Sequence, residues 1–174
     1  MKQLALMIAC ASFAACGGSD PTYKVGGQVL TVKDSGYVTG DYFCEAAAMG
    51  QLRVVFVDYF PICAPNDPID SQRDITTEHN ELELIYVTSQ VKDAKTPVPV
   101  AVGDCTNGPA GPGIATFRHF AANSTTPVET QAVGGQLFLT QLDPTGDKPA
   151  KGSFDLDFGQ QGAISGSFSS YTCN

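Results

Sequence analysis

The chain of 174 residues contains no tryptophan, only two histidines, and a charged fraction of just 16%. His79 and His119 are the only imidazoles available for acid–base work. No GxSxG follows an apolar run and no HExxH occurs, so neither a nucleophile elbow nor a zincin helix is encoded. CxxC is absent too, and no Cys/His cluster has zinc spacing. No window of 11–18 residues keeps a helical period, which argues against bundles and coiled coils. Basic residues are scarce: 10 Lys and Arg stand against 18 Asp and Glu, a net charge of −8. That balance argues against nucleic acid and against an anionic membrane surface as partners.

What is present reads as β structure. Gly 18 and Pro 11 supply turns, and apolar residues make up 43%. The N-terminus is different. Lys2 precedes "LALMIACASF" (Leu4 to Phe13), an uncharged apolar run. It is too short for a membrane span of roughly 20 residues but fits a secretory signal. Small residues and a cysteine follow, "FAAC" at Phe13 to Cys16. This resembles the lipobox of bacterial lipoproteins, with Phe13 where that family usually carries Leu. The resemblance implies removal of residues 1–15, acylation of Cys16, and a membrane partner reached through a lipid anchor. Gly17, in place of the Asp that marks inner-membrane retention, points to the outer membrane. Residues 16–22 then form a short tether, and 23–174 a single β domain. The 159 residues left suffice for a real core.

Candidate strands follow in order. Lys24–Val32 is the first and Asp41–Met49 the second, its Ala run also compatible with helix. Leu52–Phe60, "LRVVFVDYF", has almost no polar face and belongs in the centre of a sheet. Glu81–Thr88 alternates, with Leu82, Leu84 and Tyr86 inward and Glu81 and Glu83 outward. Pro97–Gly103 carries prolines that only an edge accepts. Gly113–Phe120 and Gly134–Asp143 come next, separated by a polar loop, "AANSTTPVETQA". "GSFDLDFGQQGAISGSFSSYTC" (Gly152 to Cys173) reads as a hairpin. Phe154, Leu156, Phe158, Ile164 and Phe168 form its apolar face. Eight or nine short strands at this spacing predict an antiparallel β-sandwich or Greek-key barrel.

The segment between Phe60 and Glu81 is long for a compact domain, and such loops are often functional. Asp67, Asp70, Asp74 and Glu78 are candidate calcium ligands there, although their spacing is not that of an EF-hand. His119, beside Arg118 in a strand, is expected at a surface or edge.

The closing hairpin, together with "VVFVDYFPIC" and the weaker "TPVPVAVG", resembles a group of small lipoproteins of Gram-negative bacteria, myxobacteria prominent among them. The resemblance covers most of the mature chain and implies no activity. Removing Cys10 and acylating Cys16 leaves Cys44, Cys63, Cys105 and Cys173, an even number suited to two disulfides in an oxidising compartment. Three pairings are possible. The resembling proteins keep a cysteine at the positions of Cys63 and Cys173, which supports that pair and leaves Cys44–Cys105. A bridge from Cys173 would also pin the terminus, and Cys63 would anchor the base of the long loop.

The leading functional expectation is an outer-membrane lipoprotein whose β domain is not an enzyme, needs no cofactor, and serves a binding or structural role toward a protein or glycan. The second is a module binding calcium or carbohydrate through the loop at 61–80. The third is a hydrolase whose site assembles from distant residues.

Overall fold

A computed structural model describes residues 20–40, 51–63, 72–87, 97–102, 113–142 and 148–173. Among them the architecture is all-β. The strands are β1 (Thr22–Val25), β2 (Gln28–Thr31), β3 (Asp34–Gly40), β4 (Gln51–Val57), β5 (His79–Val87), β6 (Val98–Pro99), β7 (Gly113–Phe120), β8 (Val128–Gln131), β9 (Gly134–Gln141), β10 (Ala150–Asp157) and β11 (Ala163–Thr172). Nine of them form one sheet in the order β6-β9-β10-β11-β3-β4-β5-β7-β8, and β1 pairs with β2. The ladders are antiparallel except between β11 and β3, which meet in parallel at Tyr171–Gly36 and Thr172–Tyr37.

The sheet curls until its β6 edge approaches β7. Val98 and Pro99 pair with β9, Val100 bridges Gly113, and the Ala101 N–H donates to the Gly113 carbonyl at 3.0 Å. One core fills the interior. It draws on Leu30 of β2, Tyr37 of β3, Leu52, Val54 and Phe56 of β4, Leu82, Leu84 and Tyr86 of β5, Phe117 of β7, Leu137 of β9, Phe154 of β10 and Phe168 of β11. Phe56 lies edge-on to both Phe154 and Phe168, at 5.7 and 5.8 Å, which joins the two halves of the sheet.

The strand assignments show why these residues adopt these elements. β4 stands between β3 and β5 and is buried on both faces, as its continuous apolar run requires. β6 is at an edge, where Pro99 costs no ladder bond. In the closing hairpin Phe154, Leu156, Phe158, Ile164 and Phe168 are all buried, and a 3₁₀ turn at Gly159–Gln161 connects the strands.

Two expectations are corrected and one further strand is added. Lys24–Val32 is a hairpin and not one strand: Gly26 and Gly27 take φ of 57° and 88°, the left-handed pair that a tight two-residue turn needs. The "DSGYVTG" stretch is strand β3, because Tyr37 has a core position between β11 and β4. Within the polar loop after Phe120, Val128–Gln131 adds to β7 as an edge strand, where Glu129 reaches Arg118. The second candidate strand, Asp41–Met49, lies outside the described residues.

Candidate functional site

Both histidines belong to one chain of polar contacts where β4 ends, β5 begins and β7 ends. His79, the first residue of β5, is buried. Its Nδ1 lies 3.1 Å from Oδ1 of Asp58, which directly follows β4. Its Nε2 lies 2.7 Å from the Thr77 hydroxyl and 2.8 Å from the Asp74 carbonyl oxygen. The ring packs edge-on to Tyr59 at 5.0 Å. The second Asp58 oxygen accepts the Asn80 N–H at 2.9 Å. The Asn80 amide nitrogen donates to the Val29 carbonyl on β2, at 3.2 Å. That orientation leaves its oxygen to accept from Nδ1 of His119, at 3.1 Å. Glu78 approaches the same nitrogen at 3.8 Å. His119, expected at a surface or edge, is therefore half-buried and engaged, on a strand that β8 separates from the sheet edge.

The order Asp58–His79–Thr77 is that of a carboxylate, an imidazole and a hydroxyl in a nucleophilic site. Two details argue against that use. Nε2 lies 2.8 Å from the Asp74 carbonyl, an oxygen that only accepts, so this contact calls for a hydrogen on Nε2 and not for the lone pair a general base would use. Two N–H groups beside the hydroxyl are also engaged: Thr76 N–H donates to the Asp74 carboxylate and Thr77 N–H to the Asp74 carbonyl. They cannot serve a developing oxyanion. What the arrangement does is fasten the returning end of the long segment onto the barrel.

Of the four candidate calcium ligands, Asp67 and Asp70 lie outside the described residues. Asp74 spends one carboxylate oxygen on its own turn, accepting from Thr76 Oγ1 at 2.7 Å and Thr76 N at 2.9 Å. These bonds from Thr76 hold its pKa below the ordinary carboxylate value. The Glu78 side chain points to solvent, 60% exposed. Among the described residues, no three His, Cys, Asp or Glu side chains converge to hold a metal ion.

A second cluster was not anticipated, and it corrects the outward placement of Glu81 and Glu83. Both are almost fully buried, on the face of β5 that points away from the main core. That face is not a solvent face: Val55 and Val57 of β4, Ile85 of β5 and Ile114, Thr116 and Phe120 of β7 are buried alongside. The three arginines of the chain compensate the charges. Arg53 and Arg118 both pair with Glu83, the latter at 2.8 Å, and Arg118 also reaches Glu129 at 2.9 Å. Arg73 pairs with Glu81 at 3.5 Å and lies over the Phe120 ring at 3.8 Å. Burial opposes the Arg118 charge, but Glu83 and Glu129 outweigh it and its pKa is raised. The sequence held a signal for this ladder. Arg53 and Arg118 each interrupt an apolar strand, and a charge in such a place requires a buried partner.

The third cluster holds the C-terminus. Cys63 and Cys173 form a disulfide across 110 residues, with Cα atoms 6.0 Å apart. It packs with Val55, Val57 and Ile62. Beside it, Asp34 accepts from Ile62 N–H, from Ser35 N–H and from the Tyr171 hydroxyl, at 2.9, 2.9 and 2.6 Å. Burial, then the Asp34 carboxylate, pushes the Tyr171 pKa well above its ordinary value. Cys16, Cys44 and Cys105 lie outside the described residues.

No family model, no curated protein and no solved structure matches the chain.

Proposed function

We propose that this protein is an exported lipoprotein, acylated at Cys16, that displays a non-enzymatic β domain at the outer membrane in a binding or envelope-structural role. The observation that supports this most is the Cys63–Cys173 disulfide at the heart of a buried cluster. Such bonds persist in oxidising compartments, and an export signal ending in "FAAC" delivers a chain to one. The occupied Nε2 of His79 and the engaged N–H groups of Thr76 and Thr77 weigh toward binding and against hydrolysis.

The test is substitution at the anchor. Cys16→Ser removes the thiol that carries the acyl chains, so the protein moves from the membrane fraction to the soluble periplasmic fraction. Intact-mass measurement of wild type should show acyl groups on an N-terminal Cys16. A Cys16→Ser protein that stays with the membrane, beside a wild type with no added acyl mass, would falsify the proposal.

A further inference from the structure

We infer that the end of the barrel carrying the Asp58–His79–Asn80–His119 chain rests on the lipid surface of the membrane that anchors the protein. This rests on acylation of Cys16. The described chain begins at Asp20, which pairs with Lys33. The Pro21 carbonyl accepts the Val32 N–H, and the Lys33 N–H donates to the Val57 carbonyl, both at 2.8 Å. Asp58 is the next residue, so the tether joins the domain beside the polar chain. Four residue steps separate Cys16 from Asp20, about 14 Å at full extension. From His79 to Tyr86, β5 runs for about 23 Å. A tether shorter than the strands keeps the near end of the barrel toward the lipid and the Tyr86–Gly113 end away from it.

Exposed apolar side chains gather at that near end. Phe60, two residues beyond Asp58, is 77% exposed, and Val128, paired with His119 across β7 and β8, is 69% exposed. Val29, whose carbonyl receives the Asn80 amide, and Ile75, whose carbonyl receives the Asn123 N–H at 2.6 Å, are about half exposed. Scattered exposed valines are ordinary on a soluble surface. Apolar side chains around a polar centre, beside the attachment point of a lipid tether, match an interfacial site, where insertion reaches about 5–10 Å. Asp74, Glu78 and Glu129 are exposed at the same end and oppose an anionic surface. The contact is therefore with zwitterionic lipid, and it depends on the tether to raise the local concentration.

The absence of tryptophan makes the test direct. Phe60→Trp, Val128→Trp and Val102→Trp each install a single reporter at an exposed position. Val102 adjoins Ala101, which bonds Gly113 at the far end of β7. Each processed, acylated full chain is reconstituted in zwitterionic vesicles of phosphatidylethanolamine doped with brominated phosphatidylcholine. Emission from Phe60→Trp and Val128→Trp should be blue-shifted and quenched several-fold more than that of Val102→Trp. Two near-end reporters guard against one variant that fails to fold, with circular dichroism as the check. Equal, weak quenching at all three positions in protein that carries acyl mass on Cys16 overturns the docking and leaves the anchor standing. Missing acyl mass overturns both. A blue shift indifferent to brominated lipid but growing with protein density assigns this end to a second copy of the chain and overturns the lipid assignment.

Discussion

Glu83 shows how far one side chain can be from its sequence context. It sits in an alternating strand, where a carboxylate at that position normally faces water, yet it is buried between two guanidinium groups. Glu83→Ala would leave Arg53 and Arg118 without their shared partner. Breaking a buried pair costs about 3–5 kcal/mol, and the partial exposure of Arg118 places this case at the lower end. Glu129→Ala, at the open end of the same ladder, should cost no more than about 1 kcal/mol. Urea unfolding of the two variants checks the contrast, and equal effects would show that Glu83 is solvated. The tyrosines set the alkaline side of the pH response. Burial raises the pKa of Tyr86, Tyr171 and Tyr23, each with an ordinary value of 10.0. A raised folded-state pKa means that the stabilisation is complete below the unfolded pKa and is lost as pH climbs through the folded one. Stability should hold to about pH 10 and then fall. Tyr86→Phe, which deletes a buried hydroxyl without a hydrogen-bond partner, should make that alkaline fall shallower in unfolding curves. A wild-type curve flat far above pH 10 would contradict the burial of these groups.

Among the elements, the β9–β10–β11 hairpins depend on close backbone approach. A Cβ on Gly152 would stand 2.1 Å from the Phe138 carbonyl oxygen and 2.6 Å from the Phe168 ring. Gly152→Ala must therefore push β9 from β10 or drive Phe168 from the core. Overpacking of this kind costs about 1–3 kcal/mol or more, and with backbone as the obstacle the upper end applies. Thermal unfolding should show it. Gly134→Ala, where an added Cβ meets nothing within 4 Å, is the matched control. Alternation was legible wherever one strand face met the core and the other met water, as in Phe154, Leu156 and Phe158 against Asp155 and Asp157. It misled in β5, where the outer face is covered as well. β8 escaped the sequence reading because an edge strand needs no apolar face, only a neighbour with unpaired backbone groups.

For the molecule as a whole, the Cys63–Cys173 bridge fixes the last residues of β11 against the segment that leaves β4. Closing so long a loop restricts the unfolded chain, and a bridge of this size typically contributes about 2–4 kcal/mol. The double variant Cys63→Ala/Cys173→Ala should lose that much in urea unfolding, and mild reduction of the wild type should reproduce the loss. A variant as stable as wild type would mean that Asp34, through Ile62 and Tyr171, holds the terminus unaided.

By itself, the sequence determined the all-β class, the central position of β4, the closing hairpin and the edge position of Pro99, because periodicity and proline chemistry are local properties of the chain. The pairing of Cys63 with Cys173 was an expectation from a resemblance and from the value of pinning the terminus and the base of the long loop, since four cysteines have no preferred partner in one dimension. Tertiary structure alone decided three things: that the sheet curls until β6 meets β7, that all three arginines converge on two buried glutamates, and that the only two histidines share one polar chain with Asp58 and Asn80. Each joins residues far apart in the chain, and what brings them together is the register of strands whose backbone bonds are the same whatever their side chains.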